Sequence, residues 1–338
     1  MGLKELKGEV TEEVAAILAS GFSIDVVETT MVPHSSDGAI TFPNLDDNKQ
    51  GTKLIDTCVL YIDIRRSTQL NFAQRPKTVA KLYSAFVRAM TRSARYNKGH
   101  VRGIIGDRVM VIFDKKDCFQ NAVNCAVTMN SVAKHVINKH FQHGEFECGI
   151  GIDAGKMLAT KTGIRRRGNQ QENYRSLVWL GRPANIASKL TDIANKPEDS
   201  FSYTMVRAAF TRSPMANALA GASGLGVLGS NLLAANDWEW KDIHPGNFVK
   251  QLDVQYVPPR LVHKDPAFQS MFTVEETYVR SPRTPPILIT EAVWNGFRAA
   301  CPTSNIITEP LFRPISVSVP AYKGKVYAGD LFYPIFKE

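Results

Sequence analysis

The sequence predicts an α+β sandwich. Segments of helical periodicity alternate with strand-like apolar runs, and those runs come in pairs joined by short turns. Hairpin connections exclude a doubly wound parallel sheet, whose strands need long helical returns. A hydrophobic content of 44% over 338 residues supplies a full core, and the length permits one large domain or two ordinary ones.

The elements follow in order. Residues 1–53 form a lead-in, with a short helix and a strand over residues 8–30 and turn chemistry at Pro33-His34-Ser35-Ser36-Asp37-Gly38. Residues 54–196 are the expected core. Cys58-Val59-Leu60-Tyr61-Ile62-Asp63-Ile64 reads as a strand, with Ser67 and Thr68 as helix caps. Val79, Leu82, Tyr83, Phe86, Val87 and Met90 then mark the buried face of a helix ending near Gly99. Val101 to Ile105 and Val109 to Phe113 are strands that flank Gly106-Asp107, which places Asp107 on a tight hairpin.

A helix over Cys118 to Phe141 precedes strands at Phe146 to Ile152 and Met157 to Thr162. A polar loop, Gly163 to Asn173, leads to a strand at Tyr174 to Leu180 and a helix at Ala184 to Ala194. Residues 197–285 break this rhythm with an Ala/Gly-rich stretch, a Trp238-Glu239-Trp240 cluster and repeated prolines, and are expected to be an insertion. Residues 286–338 resume the core, Ile287 to Trp294 being a strand that runs into a helix.

The chain carries 41 basic and 32 acidic residues, a formal charge of +9 that suits a polyanion, nucleotide or nucleic acid alike. Five cysteines without a C-x-x-C pair fit no closed disulfide framework, so a reducing cytoplasm is the expected compartment. The start of the chain has no apolar signal core, and Glu9, Glu12 and Glu13 speak against a transit peptide. The stretch from Ala216 to Ala235 is interrupted by Asn217, Ser223, Ser230 and Asn231, so no membrane span is expected.

Asp63 and Asp107 carry the chemistry. Hard carboxylates at neighbouring strand ends suit Mg²⁺, which keeps water and substrate phosphate oxygens as its other ligands, and this points to phosphoryl transfer.

Four ordered segments resemble the class III nucleotidyl cyclases: Tyr61-Ile62-Asp63-Ile64-Arg65-Arg66-Ser67-Thr68, Gly106-Asp107 with its apolar strand, Gly149-Ile150-Gly151-Ile152-Asp153-Ala154-Gly155, and Gly181-Arg182-Pro183-Ala184-Asn185-Ile186-Ala187-Ser188-Lys189-Leu190. Ala321-Tyr322-Lys323-Gly324-Lys325 is similar to the family's final Lys-Gly-Lys hairpin. The resemblance implies a ferredoxin-like βαββαβ core and a head-to-tail homodimer with composite active sites. It implies two Mg²⁺ or Mn²⁺ per site on Asp63, Asp107 and the Ile64 carbonyl. Arg65, Arg66, Ser67, Thr68 and Lys323 would hold the triphosphate, Asn185 would orient the ribose, and Lys189 would stabilise the transition state where the family usually has arginine.

The purine-reading positions of the family are here Gly103 and Val178, which have no polar side chain. With Tyr61, this is most like the pyrimidine cyclases of the bacterial Pycsar anti-phage system. The resemblance then implies CTP or UTP as substrate, cyclic CMP or cyclic UMP as product, a separate effector for that product and no stable nucleic-acid partner. The alternatives are a purine cyclase with relaxed base recognition and a non-catalytic homologue that binds nucleotide or nucleic acid.

Other motifs read as structure. Gly224-Leu225-Gly226-Val227-Leu228-Gly229 lacks the strand of a dinucleotide site, His135, His140 and His143 lack partners for zinc, and Arg165-Arg166-Arg167 reads as a solvated face. Asp153 reads as a structural hydrogen-bonding residue, and Met129 and Trp179 as core or interface.

Overall fold

The computed structural model describes residues 2–162, 177–197, 199–211, 238–256, 259–281 and 283–338. Two compact units divide the chain: residues 1–197 with 283–338, and residues 198–282. The Arg165-Arg166-Arg167 loop, Tyr174 and the stretch from Ala216 to Ala235 with its glycine motif lie outside the described residues.

In the first unit, α1 (Leu3–Leu18) and β1 (Ser23–Thr29) precede the long strand β2 (Lys49–Ile64). β1 pairs in parallel with the start of β2, Ser23 beside Lys49 and Thr29 beside Ile55, so the boundary expected after residue 53 falls inside a strand. The polar spelling Lys49-Gln50-Gly51-Thr52-Lys53 conceals that start from a search for apolar runs.

One helix is expected next, and two are found: α2 (Ser67–Ala73) and α3 (Pro76–Tyr96). Pro76 lacks the N–H that would continue α2 and holds Arg75 extended at ψ 143°. Ser67 and Thr68 are the first helical residues of α2 and not its caps, because Arg66 takes the cap position.

β3 (Gly99–Ile105) and β4 (Arg108–Phe113) form the hairpin, with Gly106 at φ 62° in its turn. α4 (Cys118–Ser131) continues through a π-helical stretch, Val132–Ile137, into the short α5 (Asn138–His140). β5 (Cys148–Thr160) is one strand where two are expected, since Gly155 at φ 150° lets the chain bend without leaving the sheet. β6 (Val178–Leu180) and α6 (Arg182–Ile193) follow.

The second unit holds β7 (Asp199–Thr211), β8 (Trp238–Ile243), α7 (Pro245–Lys250), β9 (Leu252–Tyr256), β10 (Pro259–His263) and β11 (Phe268–Ser281). β11, β7 and β8 form an antiparallel sheet and β9 pairs with β10. Its small core joins Val206, Ala208, Phe210 and Phe248, with the His263 ring 4.7 Å from that of Phe268.

The first unit then closes with β12 (Ile287–Thr290), α8 (Glu291–Ala300), α9 (Asn305–Thr308), β13 (Arg313–Ile315) and β14 (Val326–Gly329). Its sheet runs β13-β14-β12-β5-β2-β4-β3, with β1 added to β2 and β6 to β5. Within it, β5-β2-β4-β3 are mutually antiparallel and stand fourth, first, third and second in a βαββαβ repeat, the ferredoxin-like order.

Strand alternation assigns the faces. Cys58, Leu60, Ile62 and Ile64 join Val109, Val111 and Phe113 in the core under α3 and α4, while Val59 joins Met110, Ile112 and the α6 residues Ala184 and Ala187. Each fully buried Leu, Ile or Phe contributes about 1.5–3 kcal/mol, so β2, covered on both sides, is the mechanical centre of the unit. Among the described residues no helix is long and apolar enough to cross a membrane.

Candidate active site

The same alternation that buries Ile62 and Ile64 turns Asp63 to the α6 side of the sheet. β2 pairs with β4 through Ile62 and Val109, so the next residues outward, Asp63 and Arg108, stand side by side at the rim beside the turn that carries Asp107. Burial pushes the Asp107 carboxyl above its ordinary value and the neighbouring Asp63 charge adds to that, while its own backbone N–H and the Ser67 hydroxyl oppose.

Asp63 Oδ1 and Asp107 Oδ2 are both buried and have no hydrogen-bond partner. Two buried acceptors that also repel each other are costly unless a cation joins them, and hard carboxylate oxygens select a divalent ion such as Mg²⁺ or Mn²⁺. Among the described residues no set of three or more His, Cys, Asp or Glu is arranged to hold a metal, so most of the coordination sphere would fall to water and phosphate.

Arg108 is the residue that sequence reasoning missed. Its Nη2 and Nε donate to Asp63 Oδ2 at 2.6 and 3.2 Å, its Nη1 donates to Ser188 Oγ at 2.7 Å, and Nη2 also donates to Asp192 Oδ1 at 2.5 Å. One guanidinium thus ties the hairpin to β2 and α6. Counting outward along the antiparallel ladder from Asp63 would have found it, because the register makes Arg108 its cross-strand neighbour.

The phosphate-binding expectation needs one correction. The Arg65 N–H already donates to the Glu147 carbonyl at 2.8 Å, and its guanidinium donates to the Thr191 carbonyl at the end of α6, filling space left by Gly149. Arg65 is therefore a bracket between β5 and α6, with its amide and terminal guanidinium nitrogen engaged there and its Nε buried without a partner. Arg66 adopts φ 56°, which explains why the resembling family places glycine there. Ser67 and Thr68 open α2, where first-turn N–H groups have no helical acceptor.

Asn185 and Lys189 lie one turn apart on α6, whose buried face is Ala184, Ile186, Ala187 and Leu190. Lys189 Nζ donates to the Pro320 carbonyl at 3.1 Å, and the Arg182 guanidinium lies 5.5 Å above the Tyr322 ring, so α6 shares a surface with the turn that bears Lys323. Among the described residues neither Asn185 nor Lys189 hydrogen-bonds to an aspartate. Arg108, which holds both Asp63 and Ser188, links the carboxylates to the helix that carries Asn185 and Lys189.

Gly103 faces Met110 across the hairpin just past an irregularity at Arg102, and Val178 pairs with Thr160. Trp179, next to Val178, packs against the cluster that holds Met110, the partner of Gly103. Trp179 Nε1 and Arg102 Nε are each buried without an acceptor. Asp153 behaves as expected, accepting from the Thr290 hydroxyl at 2.7 Å. Met129 is fully buried. His140 and His143 are exposed, but His135 is half-buried with its ring 4.9 Å from that of Phe332, and so is not a solvated surface residue.

Residues 51–205 match the profile of the adenylate and guanylate cyclase catalytic domain. A uridylate cyclase of Burkholderia cepacia is 31% identical over 178 residues, which covers 51% of this chain and 72% of that protein. A uridylate cyclase of Xanthomonas perforans is 28% identical over 145 residues, covering 41% and 60%. Among solved structures, the adenylyl cyclase CyaB of P. aeruginosa superposes over 82% of this chain and 94% of its own at 14% identity and a TM-score of 0.43. With 72% of a relative covered at 31% identity and the sheet order on the page, the chain belongs to the class III nucleotidyl cyclases, enzymes that cyclise nucleotides.

Proposed function

We propose that this cyclase converts a pyrimidine nucleoside triphosphate, UTP foremost, to the 3′,5′-cyclic monophosphate and pyrophosphate. The observation that carries the base assignment is the pair Gly103 and Val178, apolar at both positions where purine cyclases of the family place polar side chains. The uridylate cyclase relatives support UTP over CTP.

Asp63 and Asp107, with the Ile64 carbonyl, would hold the two divalent ions. Bound there, the ions supply charge neutralisation at the triphosphate and acidity at the ribose 3′-hydroxyl. The first N–H groups of α2 at Ser67 and Thr68, with Lys323, bind the terminal phosphates, and Asn185 positions the ribose. The 3′-oxygen forms its bond to the α-phosphorus as the bond to the bridging oxygen of pyrophosphate breaks, and the hydroxyl proton leaves to solvent. Lys189 faces the charge that develops on the α-phosphate, as a point charge and not a bidentate fork.

By the family resemblance, the carboxylates of one subunit and Asn185 and Lys189 of the other complete the site between two subunits of a homodimer, twice by symmetry. The product acts as a cytoplasmic second messenger on a separate effector in anti-phage defence, a reading that rests on the Pycsar resemblance.

The test is a competition among ATP, GTP, CTP and UTP with Mn²⁺, read by mass spectrometry of the cyclic products. UTP is expected to lead the purines in kcat/KM by at least tenfold, about 1.4 kcal/mol of transition-state discrimination. Predominant cyclic CMP would move the assignment to CTP, and predominant cyclic AMP or cyclic GMP would return the enzyme to the purine cyclases.

A further inference from the structure

α1 has no use in the chemistry above. It is a helix of 16 residues with no buried side chain, and Leu3, Leu6, Val10, Val14, Ile17 and Leu18 are 37 to 86% exposed. Helices shorter than about 12–15 residues are marginal in water even when rich in alanine. This one also carries Gly8 in its interior and β-branched Val10, Thr11, Val14 and Ile17, all weaker helix formers. An apolar stripe on such a helix calls for a partner surface.

Leu3, Leu6, Val10, Val14 and Ile17 are spaced three, four, four and three residues apart, a pattern that reads the same in both directions about Val10. Laid antiparallel on a second copy of itself, with the two Val10 residues in contact, Leu3 meets Ile17 and Leu6 meets Val14. The flanking charges obey the same symmetry, since Lys7 meets Glu13 twice and Gly8 makes room for Glu12. A parallel pair would instead set Glu12 and Glu13 against their own copies. A membrane is the poorer partner, because Glu5, Glu9, Glu12 and Glu13 outnumber Lys4 and Lys7 and oppose an anionic surface.

We propose that α1 is a self-association element that docks antiparallel on α1 of a second copy of this chain, joining protomers through a surface separate from the cyclase site. The pairing is isologous, so each α1 takes one partner α1.

The test uses the full chain carrying Leu6→Cys with Val14→Cys, oxidised mildly at micromolar concentration and mapped by peptide mass spectrometry. Positions 6 and 14 are about 12 Å apart along one helix, too far for an internal disulfide. Chains linked 6 to 14 are expected. Links of 6 to 6 and 14 to 14, or no link between α1 segments, would overturn the proposal. Adding Glu13→Lys should lower the linked fraction roughly fivefold by turning two attractions into repulsions, and the swap Lys7→Glu with Glu13→Lys should restore it. Equal linking in the parent and both charge variants would also overturn the antiparallel register. The cross-link is read without nucleotide, so its outcome is independent of the cyclase assignment.

Discussion

Asp63 and Asp107 repel each other, and each leaves an oxygen unpaired, an arrangement that the proposed cation would relieve. Asp63→Ala or Asp107→Ala should therefore lower turnover by roughly 10³-fold or more with far-UV circular dichroism unchanged, and Tm should hold or rise for Asp107→Ala but fall for Asp63→Ala, which also removes the Arg108 ion pair. Near-wild-type turnover from either variant would remove the metal-binding assignment. Arg66 bears a different strain, a side chain at φ 56°. Arg66→Gly is expected to stabilise the unit by about 0.5–1 kcal/mol, read as a higher urea midpoint. Asp153 supplies the pH test. Burial raises its carboxyl above the ordinary value, so the folded state holds its proton more tightly than the unfolded chain does. Its contribution is favourable below the unfolded value and is lost as pH rises through the raised folded value. Asp153→Asn keeps an acceptor for Thr290, so its Tm advantage over wild type should grow with pH across that window and then level off. A constant difference at every pH would show that Asp153 does not titrate in this way.

At the scale of elements, the glycines of β5 decide how α6 sits. A Cβ on Gly151 would come within 2.3 Å of the Ala187 carbonyl and 2.5 Å of the Thr191 amide, so α6 packs directly on strand backbone. Gly151→Ala must lift α6, at a cost of about 1–3 kcal/mol. The lift moves Asn185 and Lys189, and it disturbs the Arg108 bridge to Ser188 and Asp192, so kcat should fall with Tm. Gly103→Ala is the control, because its Cβ would meet Met110 no closer than 3.4 Å and should change stability by no more than about 0.5 kcal/mol. Equal losses from both would break the link between α6 docking and turnover. Much of this level was legible in advance: the hairpin at Gly106-Asp107 and the helix after Gly181 stand where their turn residues and periodicity put them. The start of β2 was not, because Lys49 to Thr52 run beyond its ladder with β5 and pair with β1.

For the whole molecule, the composite site proposed between two subunits makes subunit complementation the decisive experiment. Asp63→Ala and Asn185→Ala should each be inactive alone, since every composite site of either homodimer carries a lesion. Mixed and allowed to exchange, they should recover about a quarter of wild-type turnover, because half of the dimers are mixed and one of their two sites is intact. Heterodimers that form and stay inactive would show that the sites are not shared. The sequence by itself determined the βαββαβ order and the two aspartates, because strand period, turn glycines and a carboxylate at a strand end are local properties written within a few residues. Only the tertiary structure decided that Arg108 grips Asp63, Ser188 and Asp192, and that Arg65 turns from the phosphate path to the end of α6. Those choices depend on register and packing between segments about 45 to 130 residues apart, where a long cationic side chain takes whichever acceptors the fold brings within reach.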